Sequence, residues 1–130
     1  MSSPGNVGLG RISLVCVPTI EQDRAIAFYE SIGFEKRVDN TFGPGYRSVE
    51  VYLPHERVGL ALAPPPPGTP FAPMNTGITL TSGDIDKTYA EFKALGADLD
   101  DEVLRMGGPV PPMFFFRDPS GHTLLVVEEH

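Results

Sequence analysis

The chain carries one pattern written twice. Residues 12–35 and 75–98 align when the second copy is displaced by 63 positions, so that Asp23 meets Asp86, Ala27 meets Ala90, Tyr29 meets Phe92, Ile32 meets Leu95 and Gly33 meets Gly96. The charges follow the same register, with Glu21, Arg24 and Glu35 opposite Asp84, Lys87 and Asp98. With 130 residues, 41% of them apolar, the chain has material for one ordinary core. The repeats are therefore two halves of a single domain, each too small to bury a core alone.

Each copy reads as strand, helix, then strands. Ile12 to Val17 is a β-rich run bounded by Pro18, and Thr19-Ile20-Glu21-Gln22 has the spacing of a capping box that opens a helix. Ala25, Ile26, Phe28, Tyr29 and Ile32 then fall on one helical face, and Gly33 stops the helix. The second copy offers a strand at Ile78 to Thr81, a helix opened by Asp84-Ile85-Asp86 with Ile85, Tyr89, Phe92 and Leu95 as its stripe, and a stop at Gly96. Further strands are expected over 34–38, 47–53 and 58–63, then 113–117 and 123–128, with Asp118-Pro119-Ser120-Gly121 as the turn before the last. The order β-α-β-β-β per half predicts an α+β fold of eight strands and two helices. Residues 1–10 read as a flexible leader, 11–63 as the first module, 64–74 as a proline-rich, stiff and extended linker, and 75–130 as the second module. Two Gly/Pro loops, 42–46 and 106–112, occupy related places and are candidate rims of a cavity.

A net charge of −7 repels a phosphate backbone, and the only adjacent cations of note are Lys36 and Arg37, so neither nucleic acid nor an anionic membrane surface is an expected partner. No run of 18 apolar residues is present and the first residues lack a signal-peptide pattern, which predicts a cytoplasmic protein. The single cysteine, Cys16, sits in an apolar run, permits no intrachain disulfide and is expected to be buried. His55, His122 and His130 fall in loops or at the terminus and read as solvated side chains. The acidic groups 98–102 and 128–129 likewise read as solvated surface.

The segments Glu21 to Tyr29 with Ile32-Gly33-Phe34, Asp84-Ile85-Asp86 with Leu95-Gly96, and Phe116-Arg117-Asp118-Pro119-Ser120-Gly121-His122-Thr123 together resemble the vicinal oxygen chelate superfamily, which contains glyoxalase I, extradiol dioxygenases and the bleomycin-resistance proteins. The match spans about residues 11–128. It implies tandem βαβββ modules whose curled sheets surround a cleft, commonly in a homodimer. In metal-using members, His, Gln or Glu from the first and last strands of both modules hold one divalent ion. Those positions fall here on Leu14 and Gly77, and on Leu62 and Leu125, with Ala61 or Ala63 and Leu124 or Val126 if the last-strand register slips by one. Leucine, alanine, valine and glycine supply no donor, so no metal and no other cofactor is expected.

What remains for the cleft is mostly apolar. Alternation puts Ile12, Leu14 and Cys16 on one side, with Gly77, Thr79, Thr81, Thr123, Leu125 and Val127. Ser48, Glu50 and Tyr52 form the polar face of their strand, facing either inward or to solvent. Met113 and Phe115 share one face of the next-to-last strand while Phe114 and Phe116 share the other, and one of these pairs should line the cleft. The expected ligand-binding set is Phe42, Tyr46, Glu50, Tyr52, Met106, Met113, Phe115, Leu14, Leu62 and Leu125, with no catalytic residue. The reading favoured by these residues is a metal-independent protein that sequesters a planar apolar or cationic compound, similar to the drug-binding branch of the superfamily. A glyoxalase-like metal-dependent lyase, isomerase or dioxygenase, and a metal-free enzyme using Glu50 or Tyr52 as acid or base, are the alternatives.

Overall fold

The computed structural model describes residues 7–130. Most of the expected leader lies outside the described residues, and Val7 to Gly10 are exposed. The first module contains β1 (Leu14–Pro18), α1 (Gln22–Ser31), β2 (Glu35–Thr41), β3 (Arg47–Tyr52) and β4 (Gly59–Ala63). The second contains β5 (Asn75–Ser82), α2 (Ile85–Ala94), β6 (Asp98–Leu99), β7 (Met113–Arg117) and β8 (Thr123–Glu128). The two helices stand at the 63-residue offset of the repeat from end to end. The two-residue β6, antiparallel to β7, had no sequence signal beyond the repeat itself, because a strand so short carries no periodicity.

Both helices stop where glycine takes a positive φ, 113° at Gly33 and 76° at Gly96, a region closed to most side chains. Their starts differ. Asp84 caps α2 by accepting from the Lys87 N–H at 3.2 Å, and Glu128, expected to be solvated, accepts from the Ile85 N–H at 3.1 Å. The capping box expected for α1 does not form: Thr19 is buried and donates to the Val17 carbonyl, while Glu21 takes the cap position without a side-chain bond. Gln22 instead sends its amide to the carbonyls of Arg47 and Leu62, tying α1 to β3 and β4.

Two four-stranded mixed sheets result, ordered β1-β4-β3-β2 and β5-β8-β7-β6, with the first and last strands of each module parallel. One face of each sheet is buried in a single shared cluster. Val17, Val49, Val51 and Leu62 enter it from the first sheet, Phe114, Phe116, Leu124 and Val126 from the second. Tyr29 and Ile26 of α1 and Phe92 of α2 fill the layer between. Phe92 meets Phe114 and Phe116 edge-on at 5.5 and 4.9 Å, and Phe28 of α1 reaches Phe116 across the module boundary at 6.1 Å. Fully buried rings such as Phe114 and Phe116 contribute roughly 1.5–3 kcal/mol each.

The modules are also locked by a buried chain of hydrogen bonds. Tyr29 donates to Asp118 Oδ2 at 2.9 Å, and Asp118 Oδ1 accepts from the N–H groups of Ser120 and His122. His122 Nδ1 accepts from the Met74 N–H, so the ring's other nitrogen carries the proton and donates to the Pro18 carbonyl at 2.6 Å. Burial, and then the Asp118 charge, push the Tyr29 phenol far above its ordinary value, which keeps it a donor. His122 is thus not the solvated loop histidine the sequence suggested: the turn that carries it folds beneath α1, and the ring is fully buried. Asp98 and Asp100 also depart from simple surface charge, since Arg117 bridges both at 2.8 and 2.7 Å. The proline-rich connector joins no ladder but is bent at its middle, where Thr69 N–H reaches the Pro66 carbonyl and Gly68 takes a positive φ.

Removing the Tyr29 hydroxyl leaves a buried carboxylate oxygen without its donor. Tyr29→Phe should lower unfolding stability by about 1–3 kcal/mol. In urea denaturation this appears as a lower midpoint at unchanged slope, and an unchanged midpoint would mean that the lock contributes nothing.

Candidate functional site

Because one face of each sheet serves the shared core, the opposite faces are left open and point away from each other. On the first sheet the open face is laid out in rows. Cys16, Ala61, Glu50 and Val38 are successive partners across β1, β4, β3 and β2. Leu14 pairs with Gly59 and Tyr52 with Glu35 in the adjoining row. The β4 positions of this face are Gly59, Ala61 and Ala63, so the floor is shallow and small, between Leu14 and Cys16 on one side and Glu50 and Tyr52 on the other. Cys16 is exposed rather than buried, because the alternation that turns Val15 and Val17 inward turns Leu14 and Cys16 outward.

Tyr52 and Glu50 are the organised polar part of this face. The Tyr52 hydroxyl donates to Glu50 Oε1 at 2.6 Å. The tyrosine ring lies on Gly59 so closely that a Cβ there would stand 2.5 Å from its Cε2. The Arg37 guanidinium sits over the ring, 4.4 Å from its centre, and is itself held by Glu35 at 2.7 Å and by the Glu56 carbonyl at 2.6 Å. The Glu50 hydrogen bond, followed by burial and the Glu50 charge, raises the Tyr52 phenol above its usual range, while Arg37 and Arg11 oppose the shift. Tyr52 is a fixed donor to a carboxylate, not a free ring.

The second sheet presents Thr79, Leu125 and Phe115 in one row and Thr81, Val127 and Met113 in the next. Arg117 ends this face and is occupied by Asp98 and Asp100. The orientation left open by the sequence is resolved here: Phe114 and Phe116 lie in the core, and Met113 and Phe115 face outward, half-buried.

Of the ten residues singled out from the sequence, Leu14, Glu50 and Tyr52 lie on the first open face and Met113, Phe115 and Leu125 on the second. Phe42 and Tyr46 stand exposed at the β2–β3 tip with their rings 6.2 Å apart, and Met106 is exposed in the loop before β7. Leu62 is a correction. It pairs with Val17 and is fully buried in the core, not in a cleft. The parallel pairings show why: Val17 meets Leu62 in the first module but Leu80 meets Val126 in the second, so the last strands are related by 64 positions rather than 63. The outward counterpart of Leu125 is Ala61. Gly59 and Arg37 were not anticipated, although a glycine inside a strand is itself a signal of close approach.

The positions that the sequence resemblance assigns to a divalent ion do not fit one here. Leu14, Gly77, Ala61 and Leu125 offer no side-chain donor, and among the described residues no three His, Cys, Asp or Glu side chains converge. Between the modules, Val15, Leu53, Leu60, Ile78 and Leu80 line an apolar recess of about 260 Å³. It is smaller than sites for drug-sized ligands, which run to roughly 300–1,000 Å³. Two larger recesses, of about 450 and 540 Å³, are lined in part by charged and polar side chains around α1, and the organised Tyr52–Glu50 pair makes the open faces the candidate site.

Residues 11–126 match the family described as the Glyoxalase/Bleomycin resistance protein/Dioxygenase superfamily. Among solved structures, a member of that superfamily from Sphaerobacter thermophilus DSM 20745 is 28% identical, with 93% of this chain and 98% of that one covered at a TM-score of 0.82. TnmS3, an antibiotic binding protein from Streptomyces sp. CB03234, shares the fold at 24% identity, 95% and 98% coverage and a TM-score of 0.77. A glyoxalase/bleomycin resistance protein from the same Streptomyces strain is 25% identical over 90% of this chain and 99% of that one, with a TM-score of 0.70. No curated protein matches the sequence.

The face assignments separate two leucines of one sequence pattern. Leu62→Ala should cost about 2–5 kcal/mol through the cavity it leaves in the core, and Leu125→Ala less than about 1.5 kcal/mol. Equal losses in thermal or chemical denaturation would show that both leucines face the same way.

Proposed function

We propose, because the chain belongs to the Glyoxalase/Bleomycin resistance protein/Dioxygenase superfamily, that it is a metal-independent small-molecule binding protein whose clefts are closed by a second copy of itself. The observation that carries this reading is the outward direction of both open faces. One chain cannot bring Leu14, Glu50 and Tyr52 opposite Met113, Phe115 and Leu125, whereas two chains related by a twofold axis can do so twice. The first face would then supply a shallow floor with one anchored carboxylate, and the second an apolar and thioether surface suited to a flat ligand. Phe42, Tyr46 and Met106 would form the rims.

Several features support a binder over an enzyme. The positions that the resemblance assigns to an ion, Leu14, Gly77, Ala61 and Leu125, carry no donors with which to hold a Lewis acid. Tyr52 holds its proton more tightly than a free phenol, which makes it a poor exchanger near neutral pH, and among the described residues Glu50 has no hydrogen-bonded titratable partner beyond it. The fold is one on which TnmS3 is an antibiotic binding protein. A single cysteine with no intrachain disulfide suits a reducing compartment, and a cytoplasmic location goes with this reading. Among the described residues no helix is long and apolar enough to cross a membrane.

Native mass spectrometry tests the reading directly. The expected species is a dimer that binds no metal stoichiometrically and takes up planar aromatic compounds from a mixed library. One tightly held metal per chain, or failure to bind any aromatic in the library, would overturn it. The dimer also protects Cys16, so labelling of this single thiol by a small disulfide reagent should accelerate on dilution to the monomer. A rate independent of concentration across that transition would place the interface elsewhere.

A further inference from the structure

The geometry points to Glu50 as the residue that selects a cationic ligand, with Tyr52 as the positioning residue that aims it; this rests on the binding reading above and names the class of compound, a planar aromatic carrying a positive charge. Three observations carry it. First, the two cations whose charge acts on Tyr52 are committed elsewhere: Arg37 to Glu35, to the Glu56 carbonyl and to the ring of Tyr52, and Arg11 to the carbonyls of Arg57 and Ile12. Second, Glu50 forms no ion pair among the described residues, and its hydrogen bond from Tyr52 engages Oε1, leaving Oε2 with capacity to accept. Third, the surface around it is built from small or apolar groups, Ala61 and Val38 beside it and Cys16 beyond. Arg117, the cation of the second open face, is held by Asp98 and Asp100.

Closing such a face against Met113 and Phe115 removes water from a carboxylate that has one neutral donor. A carboxylate in that position needs a further donor or a countercharge, and the occupant of the cleft is the one group not yet accounted for. A ligand cation above the Gly59–Ala61 floor meets this need, while its flat body is covered by the opposite face. The role of Tyr52 follows from its surroundings. Gly59 below and Arg37 above leave the ring one place to lie, so its hydroxyl holds the Glu50 carboxylate in a set direction. Gly59 belongs to the device because any Cβ there would lift the ring.

The test uses proflavine, a planar tricycle that is cationic at neutral pH, and acridine, the same tricycle largely uncharged there. The wild-type dimer should bind proflavine about tenfold or more tightly than acridine, the difference expected of a charge-assisted contact. Glu50→Gln should abolish the preference by weakening proflavine alone. Tyr52→Phe, which keeps the ring, should reduce the ratio of proflavine to acridine affinity, and should change that ratio no further when Glu50 is already Gln, a pattern that a purely structural tyrosine would not give. Equal affinities in the wild type, or a preference that survives Glu50→Gln, would overturn the selectivity while leaving the binding reading intact. Failure of both tricycles and of the wider aromatic library to bind would overturn both.

Discussion

The hydrogen-bond chain from Tyr29 through Asp118 and His122 to the Pro18 carbonyl joins the two modules through the buried interior. It fixes which way each sheet faces. Once α1 is tied to the β7–β8 turn, Phe28 must lie against Phe116, and the helices occupy the layer between the sheets. Polar groups this deep are costly unless fully partnered, and among the described residues no buried side-chain nitrogen or oxygen lacks a partner. The arrangement therefore tolerates little sliding of one module on the other.

From that constraint the functional surface follows. A sheet has two faces, and giving one to the shared core leaves the other bare. On the first sheet the bare face is made of glycine and alanine on β4, so that Tyr52 can lie flat and Glu50 can stand beside it. On the second it is made of threonines, leucine, valine, methionine and phenylalanine. In the proposed dimer the two surfaces serve as floor and cover, whereas one chain by itself holds them apart. That separation turns a question of chemistry into one of assembly, and it is why the proposed function depends on a second copy.

Much of this was legible in the residue order. The spacing of apolar residues and the glycine stops placed both helices, since a helical stripe of ten residues offers several turns of repeated signal. The alternation Met113-Phe114-Phe115-Phe116 required that the two pairs separate, and only packing against Phe92 decided which pair went inside. Where the pattern was carried from one module to the other on a constant offset it failed at Leu62, because the stretch from the second to the last strand is one residue longer in the second module and shifts the last strand by one residue. A shift of one is the smallest possible error in a strand and also the most consequential, since it exchanges the faces. The same limit applies to His122 and Cys16: a turn residue looks solvated and a cysteine in an apolar run looks buried until the fold shows what lies over them.

The sequence by itself determined the two-module α+β architecture and the family, because these depend on local periodicity and on residue identity at aligned positions. The tertiary structure decided which faces are buried, that Tyr52 is pinned between Gly59 and Arg37, and that the two open faces of one chain look away from each other. Those outcomes depend on contacts between residues far apart in the chain, such as Tyr29 with Asp118 and Phe28 with Phe116, and local pattern carries no information about which distant partner a side chain will meet.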